Sequence, residues 1–370
     1  MSIISNLIYT VKHNLYTGYQ RRKLKACITS INSMQRKDYA SLINGSSLSP
    51  DEINAINKRW GFLAGNEEIC HDDWRIYKTI NQFNADYVSF SLYSAYIVPL
   101  LNHAKHTHAL ADKTLLPYIF NGLAQPETIL RCVAGIFFDS ADNIVPHEKA
   151  KEILEGQREM FLIKPANDTY GGNGITIIDP NSEGGVNNSL INNILHTRTS
   201  FIIQRKLTQS PFMSALNESS LNTMRITTVL LPDKIVPVSA QLKIGKSGAL
   251  VDNSAHGSIF VGINQDGTLR QYGVHRDLIP SDEQNGIKFG GLKVPNFDKV
   301  LDFAKEAHLH IAPCQIVGWD IALDENNKPV LIENNIICPS ITYEQATSGP
   351  FFGSYTDEII DYLKFKSVNN

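Results

Sequence analysis

The spacing of apolar and polar positions divides the chain into a helical first part and a strand-rich remainder. Up to about residue 105 the apolar residues recur at helical intervals, and residues 51–60 and 74–83 predict amphipathic helices. From residue 106 onward, a helical stretch at 112–120 is followed by short apolar runs separated by polar turns, which predict strands. The predicted strands are residues 126–130, 161–163, 175–178, 201–204, 224–231, 235–243, 259–263, 315–323 and 329–333. The pattern predicts an α+β protein with a largely antiparallel sheet.

The last two predicted strands flank a polar turn at 324–328 and so predict a β-hairpin. Asp320 lies within the first strand, and the apolar run of the second strand gives way abruptly to the polar residues 333–335. Glu333 and Asn335 are two apart and point to one side, beside Asp320 on the neighbouring strand. Oxygen ligands without histidine or cysteine suit Mg²⁺ or Mn²⁺. A solvated hairpin with a capping asparagine is the plain alternative.

A glycine-rich segment follows the apolar strand that ends at Lys164, and it forms the tip of a predicted hairpin. Gly171, Gly172, Asn173 and Gly174 allow backbone N–H groups to approach an anion closely. The segment matches neither the P-loop nor the dinucleotide-binding pattern. A buried lysine needs a negative partner, which a bound phosphate would supply. The segment therefore indicates phosphate binding, with a flexible hairpin tip as the alternative.

Composition narrows the class of protein. The chain has 370 residues, of which 42% are hydrophobic and 19% are charged, which is enough for a full core in two or three subdomains. A net charge of −3 offers no basic footprint for nucleic acid. Five scattered cysteines without a C-x-x-C pair predict reduced, buried thiols. The first 16 residues resemble neither a signal peptide nor a membrane span, so we expect a cytoplasmic protein without a transmembrane segment.

Two further clusters have ordinary explanations. The basic run at residues 21–25 is typical of a solvated helix face, although a membrane or polyphosphate patch is a possible use of it. His103, His106 and His108 do not share one helix face, and neither an acid nor a cysteine stands beside them. We expect no metal site there.

Taken together, Lys113, Lys164, the glycine-rich segment and the hairpin resemble the ATP-grasp superfamily from about Asp112 to Ser340. The segment from Asp112-Lys113 to Thr128 resembles the family's entry motif, and Glu333-x-Asn335 is the most specific match. The resemblance implies that two α+β subdomains, residues 106–205 and 206–370, hold ATP between them. In the chain they follow the helical region 1–105.

The resemblance also implies roles for individual residues. Lys113 and Lys164 would contact ATP phosphates, and the glycine-rich segment would close over them. Asp320, Glu333 and Asn335 would bind Mg²⁺ or Mn²⁺. The hinge that reads the adenine would consist of Gln204, Arg205, Lys206 and Leu207.

A narrower resemblance is to the sugar-transfer-associated branch of ATP-grasp proteins, which is linked to surface polysaccharide biosynthesis. It rests on residues 220–225, on 251–253 with Gly257, and on 317–320. In that branch Arg225 and Lys243 would act on the transferring phosphoryl group or the carboxylate, although an arginine is more typical at position 243. Asn253 and His256 would touch the acceptor. Asn334 replaces the usual glycine of the Glu-Gly-Asn motif.

The implied activity is ATP-dependent ligation of a carboxylate to an amine through an acyl phosphate, with a small-molecule or glycan-precursor substrate. An amino acid joined to a uronic acid or amino sugar is the expected product. A kinase that phosphorylates a hydroxyl is the alternative enzyme, and a non-catalytic nucleotide-binding protein is the alternative outside catalysis.

Overall fold

The computed structural model describes residues 24–65, 67–167, 174–182, 185–196, 199–249 and 257–369. The chain forms two compact units. The first comprises residues 1–100, 349–352 and 356–370, and the second comprises residues 101–348 and 353–355. In the described part of the chain, no helix is both long and apolar enough to cross a membrane.

The first unit is helical, which confirms the prediction for the N-terminal region. Ser49 begins its longest complete helix with a capping box, in which the serine and Glu52 each satisfy a backbone N–H group of the other. Trp60, Trp74 and Tyr77 are fully buried in the core of this unit. Its helices are α1 (residues 24–38), α2 (Ala40–Asn44), α3 (Pro50–Ala64), α4 (Asp72–Ile80), α5 (Phe90–Leu92) with a π-helical turn at Tyr93–Ile97, α6 (Val98–Leu101) and, late in the sequence, α14 (Thr356–Asn369).

The second unit contains a six-stranded and a seven-stranded antiparallel sheet. The small sheet has the order β3-β2-β1-β6-β4-β5, and the large sheet has the order β11-β10-β9-β8-β7-β14-β15. The strands of the small sheet are β1 (Thr128–Val133), β2 (Ile136–Asp139), β3 (Ile144–Val145), β4 (Phe161–Pro165), β5 (Thr176–Ile178) and β6 (Phe201–Arg205). The strands of the large sheet are β7 (Thr223–Leu230), β8 (Ile235–Ile244), β9 (Ile259–Ile263), β10 (Leu269–Val274), β11 (Pro280–Ser281), β14 (Ile316–Leu323) and β15 (Pro329–Asn335). A separate ribbon pairs β12 (Glu283–Gln284) with β13 (Ile287–Lys288).

Short helices connect and cover these sheets. They are α7 (Ala104–Leu110), a 3₁₀ turn (Lys113–Leu115), α8 (Leu116–Ile119), α9 (His147–Glu155), α10 (Asn188–Leu195), α11 (Pro211–Leu216), α12 (Phe297–Leu309), α13 (Thr342–Ser348) and a 3₁₀ turn (Gly353–Tyr355). The predicted helix at 112–120 is thus a 3₁₀ turn followed by one short α-helix.

The large sheet has an apolar face and a polar face. Alternate residues of its central strands, such as Met224, Leu242 and Trp319, form one hydrophobic core with residues of α12. The opposite face carries Arg225 and Asp320, and α13 packs there, with the Tyr343 ring stacked 4.1 Å from the Phe260 ring. The functional side chains therefore project from a rigid, buried sheet.

The predicted strands are confirmed, but two details need correction. The second strand of the hairpin, predicted at 329–333, does not end at Glu333, because its ladder with β14 continues through Asn335. None of the five cysteines, all of which the structure describes, forms a disulfide, but the thiols are not all buried, since Cys27 is exposed and Cys70 and Cys338 are half-buried. Apolar spacing alone does not reveal this, because a lone cysteine follows no period.

Candidate functional site

The hairpin β14–β15 places two carboxylates side by side. Asp320 is directly opposite Glu333 in the register, and a β-bulge interrupts the ladder just after this pair. Bulges are frequent beside functional sites, where they re-aim side chains. Unpaired acids as close as this repel each other, so each requires a positive partner.

The register places the pair within a polar row that crosses five strands. Asp320 is also opposite Arg225 on β7, which is opposite Gln241 on β8, which is opposite Gly262 on β9. Glu333 completes the row on β15. Since directly opposite residues share one face of a sheet, all these side chains point to the polar face.

Asp320 accepts hydrogen bonds from two cations. The Arg225 guanidinium donates to both carboxylate oxygens, at 2.7 and 3.1 Å, in a bidentate pair. Lys243 donates to the same Oδ1 atom at 2.8 Å. Burial by itself would raise the pKa of Asp320, but Arg225 and Lys243 together hold that pKa well below its usual range. The same carboxylate raises the pKa of Arg225 against the opposing effect of burial. Asp320 is thus held ionised.

Asn335 is adjacent to this carboxylate, as the two-residue spacing from Glu333 requires. Its amide nitrogen lies 3.4 Å from Asp320 Oδ2 and donates to the Gly318 carbonyl at 3.2 Å. The amide therefore presents its nitrogen to Asp320 here, and rotation of the amide would present its oxygen instead.

Lys113 reaches Glu333 from a different part of the unit. Asp112 caps the 3₁₀ turn by accepting a hydrogen bond from the Thr114 N–H group at 2.8 Å. The Lys113 N–H group donates to the Ala166 carbonyl, just after β4, at 3.0 Å. The side chain then forms an ion pair with Glu333 at 3.0 Å. This lysine is therefore fixed to the small sheet at its backbone and to the large sheet at its side chain.

Lys164 lies on β4 and is 8% exposed. Burial lowers the pKa of its ammonium group, Lys113 adds to that effect, and Glu333 and Asp320 oppose it. The two lysines predicted to contact phosphate are therefore close enough to each other to interact electrostatically with the same acid. A cavity of about 250 Å³ opens beside them, and Lys113, Asn167 and Glu333 are among the residues that line it.

A hydrogen-bonded turn positions the cations on β7 and β8. The Asn222 side chain donates to the carbonyls of Met213 and Asn217, both at 2.8 Å. Its Oδ1 atom accepts from the Gly245 N–H group, just after β8, at 3.1 Å. Because Asn222 immediately precedes β7, this network holds the ends of the strands that carry Arg225 and Lys243.

Several predicted residues lie outside the described part of the chain, namely Gly171, Gly172, Asn173, Asn253 and His256. Gly174 is described and has a φ of 78°, in the left-handed region that glycine tolerates. Their predicted roles remain predictions.

The predicted hinge residues follow β6 or end it. Gln204 is buried, whereas the Arg205 side chain forms ion pairs with Glu127 and Glu159. The Lys206 N–H group donates to the Met160 carbonyl at 2.9 Å, and Leu207 follows in the loop. In the described residues, no group of three His, Cys, Asp or Glu side chains is arranged to hold a metal, and His103, His106 and His108 are exposed.

Sequence reasoning missed Glu344, which lies on α13 beside the polar row. It is 2% exposed, and Arg225 and Lys243 are the cations that interact with it electrostatically. Burial raises the pKa of Glu344 to about 7, although Arg225 and Lys243 oppose this rise. The sequence contains no clear signal for it, because Glu344 lies in a mixed polar and apolar segment at 340–348 without a recognisable motif.

These features, with lysines held against the small sheet facing acids on a hairpin of the large sheet, define an ATP-grasp protein. The model of the sugar-transfer associated ATP-grasp family matches residues 92–353. The chain belongs to that family, which confirms both resemblances.

The chain has a distant likeness to several solved structures. The ATP-grasp ligase PsnB with minimal precursor, Mg and ADP is 12% identical, with a TM-score of 0.41, over 71% of this chain and 62% of that one. D-alanyl-alanine synthetase A from Vibrio cholerae is 9% identical, with a TM-score of 0.39, over 70% of this chain and 63% of that one. The L-amino acid ligase from Bacillus licheniformis is 13% identical, with a TM-score of 0.36, over 62% of this chain and 43% of that one. The chain thus spans less than two thirds of each. No curated protein matches the sequence.

Proposed function

We propose that this protein is an ATP-dependent carboxylate–amine ligase that works through an acyl phosphate. The observation that carries the proposal is an excess of buried positive charge on one face of the site. Among the described residues, four cations, each with a side chain less than 15% exposed, surround Asp320 and Glu333, and they outnumber the acids even when the nearby Glu344 is included. These cations are Lys113, Lys164, Arg225 and Lys243. Buried charge of one sign is costly without a counter-ion, and the phosphates of ATP would supply it.

The acids and the amide fit a divalent cation. Asp320 and Glu333 face each other across the hairpin, and the Asn335 amide lies against Asp320. These three residues would hold Mg²⁺ or Mn²⁺, because hard cations take oxygen ligands. A bound Mg²⁺ would neutralise the β- and γ-phosphate oxygens of ATP.

The chain's own residues account for the remaining requirements of phosphoryl transfer. Lys113 and Lys164 would hold the phosphates, and Arg225 would compensate charge on the transferring group, which needs positioning more than covalent chemistry. The γ-phosphoryl group moves to a carboxylate oxygen and ADP leaves. An amine then attacks the acyl carbon, loses a proton, and releases phosphate.

The family assignment supports a sugar-linked substrate. We infer that the carboxylate or the amine belongs to a uronic acid or amino sugar of a surface polysaccharide precursor, and that an amino acid is the other partner. This inference rests on the family description, sugar-transfer associated.

The test is product analysis with Mg-ATP, nucleotide-linked uronic acids or amino sugars, and a pool of amino acids. We expect equal amounts of ADP, phosphate and amide, formed when both substrates are present. AMP and pyrophosphate would refute the acyl phosphate. ADP with a phosphorylated sugar and without free phosphate would show a kinase instead.

A further inference from the structure

The feature that the proposed mechanism leaves unused is Glu344. Its carboxylate is 2% exposed, and its Oε2 atom has no hydrogen-bond partner within the residues that the structure describes. An unpartnered buried carboxylate oxygen lowers stability, because it loses the hydrogen bonds of water and gains none in the protein. If Glu344 only completed the packing of α13, nothing would offset this loss of stability.

Helix α13 holds Glu344 firmly over the polar row. Tyr343, its neighbour, stacks on Phe260 with the ring planes 1° apart. Thr347 accepts a hydrogen bond from Gln241 at 3.1 Å, and Gln241 is the cross-strand neighbour of Arg225. The carboxylate is thus fixed near Arg225 from the side opposite the sheet.

Arg225 needs such a second partner whenever Asp320 binds a cation. Its Nε and Nη2 atoms occupy both oxygens of Asp320, and Lys243 shares one of them. A divalent cation needs those same oxygens, so cation binding and the Arg225 ion pair compete. Breaking a buried ion pair without replacing the lost partner leaves an uncompensated buried charge and is strongly destabilising.

We propose that Glu344 is a positioning residue that takes over the Arg225 guanidinium when Asp320 turns its oxygens to the divalent cation. The exchange keeps Arg225 paired and on the polar face, where the transferring phosphoryl group would be. It rests on the proposed function, since it requires a cation at Asp320. The raised pKa of Glu344 agrees with a buried carboxylate whose charge Arg225 and Lys243 compensate only in part.

The test is the affinity of the full chain for Mn²⁺ without nucleotide, measured by the electron paramagnetic resonance signal of the free ion. We expect the wild-type protein to bind Mn²⁺ and Asp320→Asn to lose binding. Glu344→Gln should weaken binding about tenfold, because Arg225 then stays on Asp320. Glu325→Gln, which removes an exposed acid from the hairpin turn, is the charge-matched control and should not change the affinity.

A double-mutant cycle shows whether Glu344 acts through Arg225. In the Arg225→Met background, Glu344→Gln should change the Mn²⁺ affinity by less than twofold, since there is no guanidinium left to transfer. An equal, tenfold loss in both backgrounds would show a general charge effect and overturn the exchange. Thermal melting of each variant checks that it is folded.

The remaining outcomes are also decisive. Unchanged affinity of Glu344→Gln, with binding lost in Asp320→Asn, would refute the exchange and leave the proposed function intact. Loss as complete as that of Asp320→Asn would make Glu344 a direct ligand and also refute it. No binding by the wild-type protein would refute the proposed cation site and the exchange together.

Discussion

Charge compensation among a few buried side chains determines what the site can do. Asp320 binds Arg225 and Lys243, and Glu333 binds Lys113, so each acid is paired with at least one cation. Lys164 is 8% exposed, and burial is the largest effect on its pKa, which is lowered. Such residues lower stability and are expected where a function requires them.

Lys164→Met should therefore change stability and activity in opposite directions. The variant removes an ammonium group that is costly to bury but keeps a similar volume, so we expect the free energy of unfolding to rise by about 1–3 kcal/mol. The rate of ADP formation should fall at least 100-fold, because a phosphate contact is lost. Urea unfolding and a coupled ADP assay measure the two effects.

The matched control is Lys328→Met, which removes an exposed lysine from the hairpin turn and should leave both quantities unchanged. A Lys164→Met protein that was less stable than the wild type and still turned over ATP would show that Lys164 is structural.

At the scale of elements, polar networks fix the strands that carry the site. The Asn222 network ties the start of β7 to the end of β8. On the apolar side, the Thr228 hydroxyl of β7 accepts a hydrogen bond from the Trp319 indole of β14 at 2.7 Å. The same hydroxyl is hydrogen-bonded to the Nδ1 atom of His308 on α12, also at 2.7 Å. His308 also donates to the Cys314 carbonyl at 2.8 Å. These bonds make α12, β7 and β14 one rigid layer behind Arg225 and Asp320.

His308 makes the stability of this layer depend on pH. Burial lowers its pKa to about 4, although the Cys314 carbonyl opposes that shift. The folded pKa is below the unfolded value of about 6.5, so the unfolded chain binds a proton first as the pH falls. The contribution of His308 is complete above about pH 6.5 and is lost as the pH falls toward 4.

We expect the free energy of unfolding to fall by up to about 1.4 kcal/mol per pH unit across this window from His308 alone. His308→Gln should lose that component, so the stability gap between wild type and variant should narrow from pH 7.5 to pH 5. Urea unfolding of both proteins in the Trp60→Phe/Trp74→Phe background, followed by the fluorescence of Trp319, measures the gap. His106→Gln serves as the surface control, and a constant gap for His308→Gln would show that His308 is not the source.

At the scale of the whole molecule, the proposed ligand contacts all belong to the second unit. The chain has three tryptophans, and all are fully buried. Trp60 and Trp74 belong to the first unit and Trp319 to the second. Each unit can therefore be followed separately by fluorescence.

Mg²⁺ with a non-hydrolysable ATP analogue should stabilise the second unit more than the first. A ligand at 100 times its dissociation constant stabilises the state that binds it by about 2.7 kcal/mol. We expect the unfolding midpoint of Trp60→Phe/Trp74→Phe, which reports Trp319, to rise more than that of Trp319→Phe, which reports the first unit. Equal shifts would show that the units unfold together. A shift confined to the first unit would contradict a ligand site in the second unit.

Local pattern was enough to predict the hairpin, the strands and the candidate ligands. In the sequence two strand-like runs, now β14 and β15, flank a polar turn. This spacing alone predicts that Asp320 and Glu333 are neighbours. The helix predicted at 51–60 was likewise readable from its apolar spacing, and in the structure a capping box at Ser49 begins it. The two lysines proposed to bind phosphate were recognisable by family resemblance.

The partners of those residues came from long-range pairing that no local pattern contains. Arg225 is 95 residues from Asp320 in the chain and Lys243 is 77 residues from it, and they meet because β7 pairs with β14 and β8 pairs with β7. The burial of Lys164 and the position of Glu344 depend on how the sheets and α13 pack. The sequence by itself thus determined the elements and the chemical types of the site, since these follow from local periodicity and spacing. Only the tertiary structure decided which charges compensate one another, since that depends on the register between distant strands.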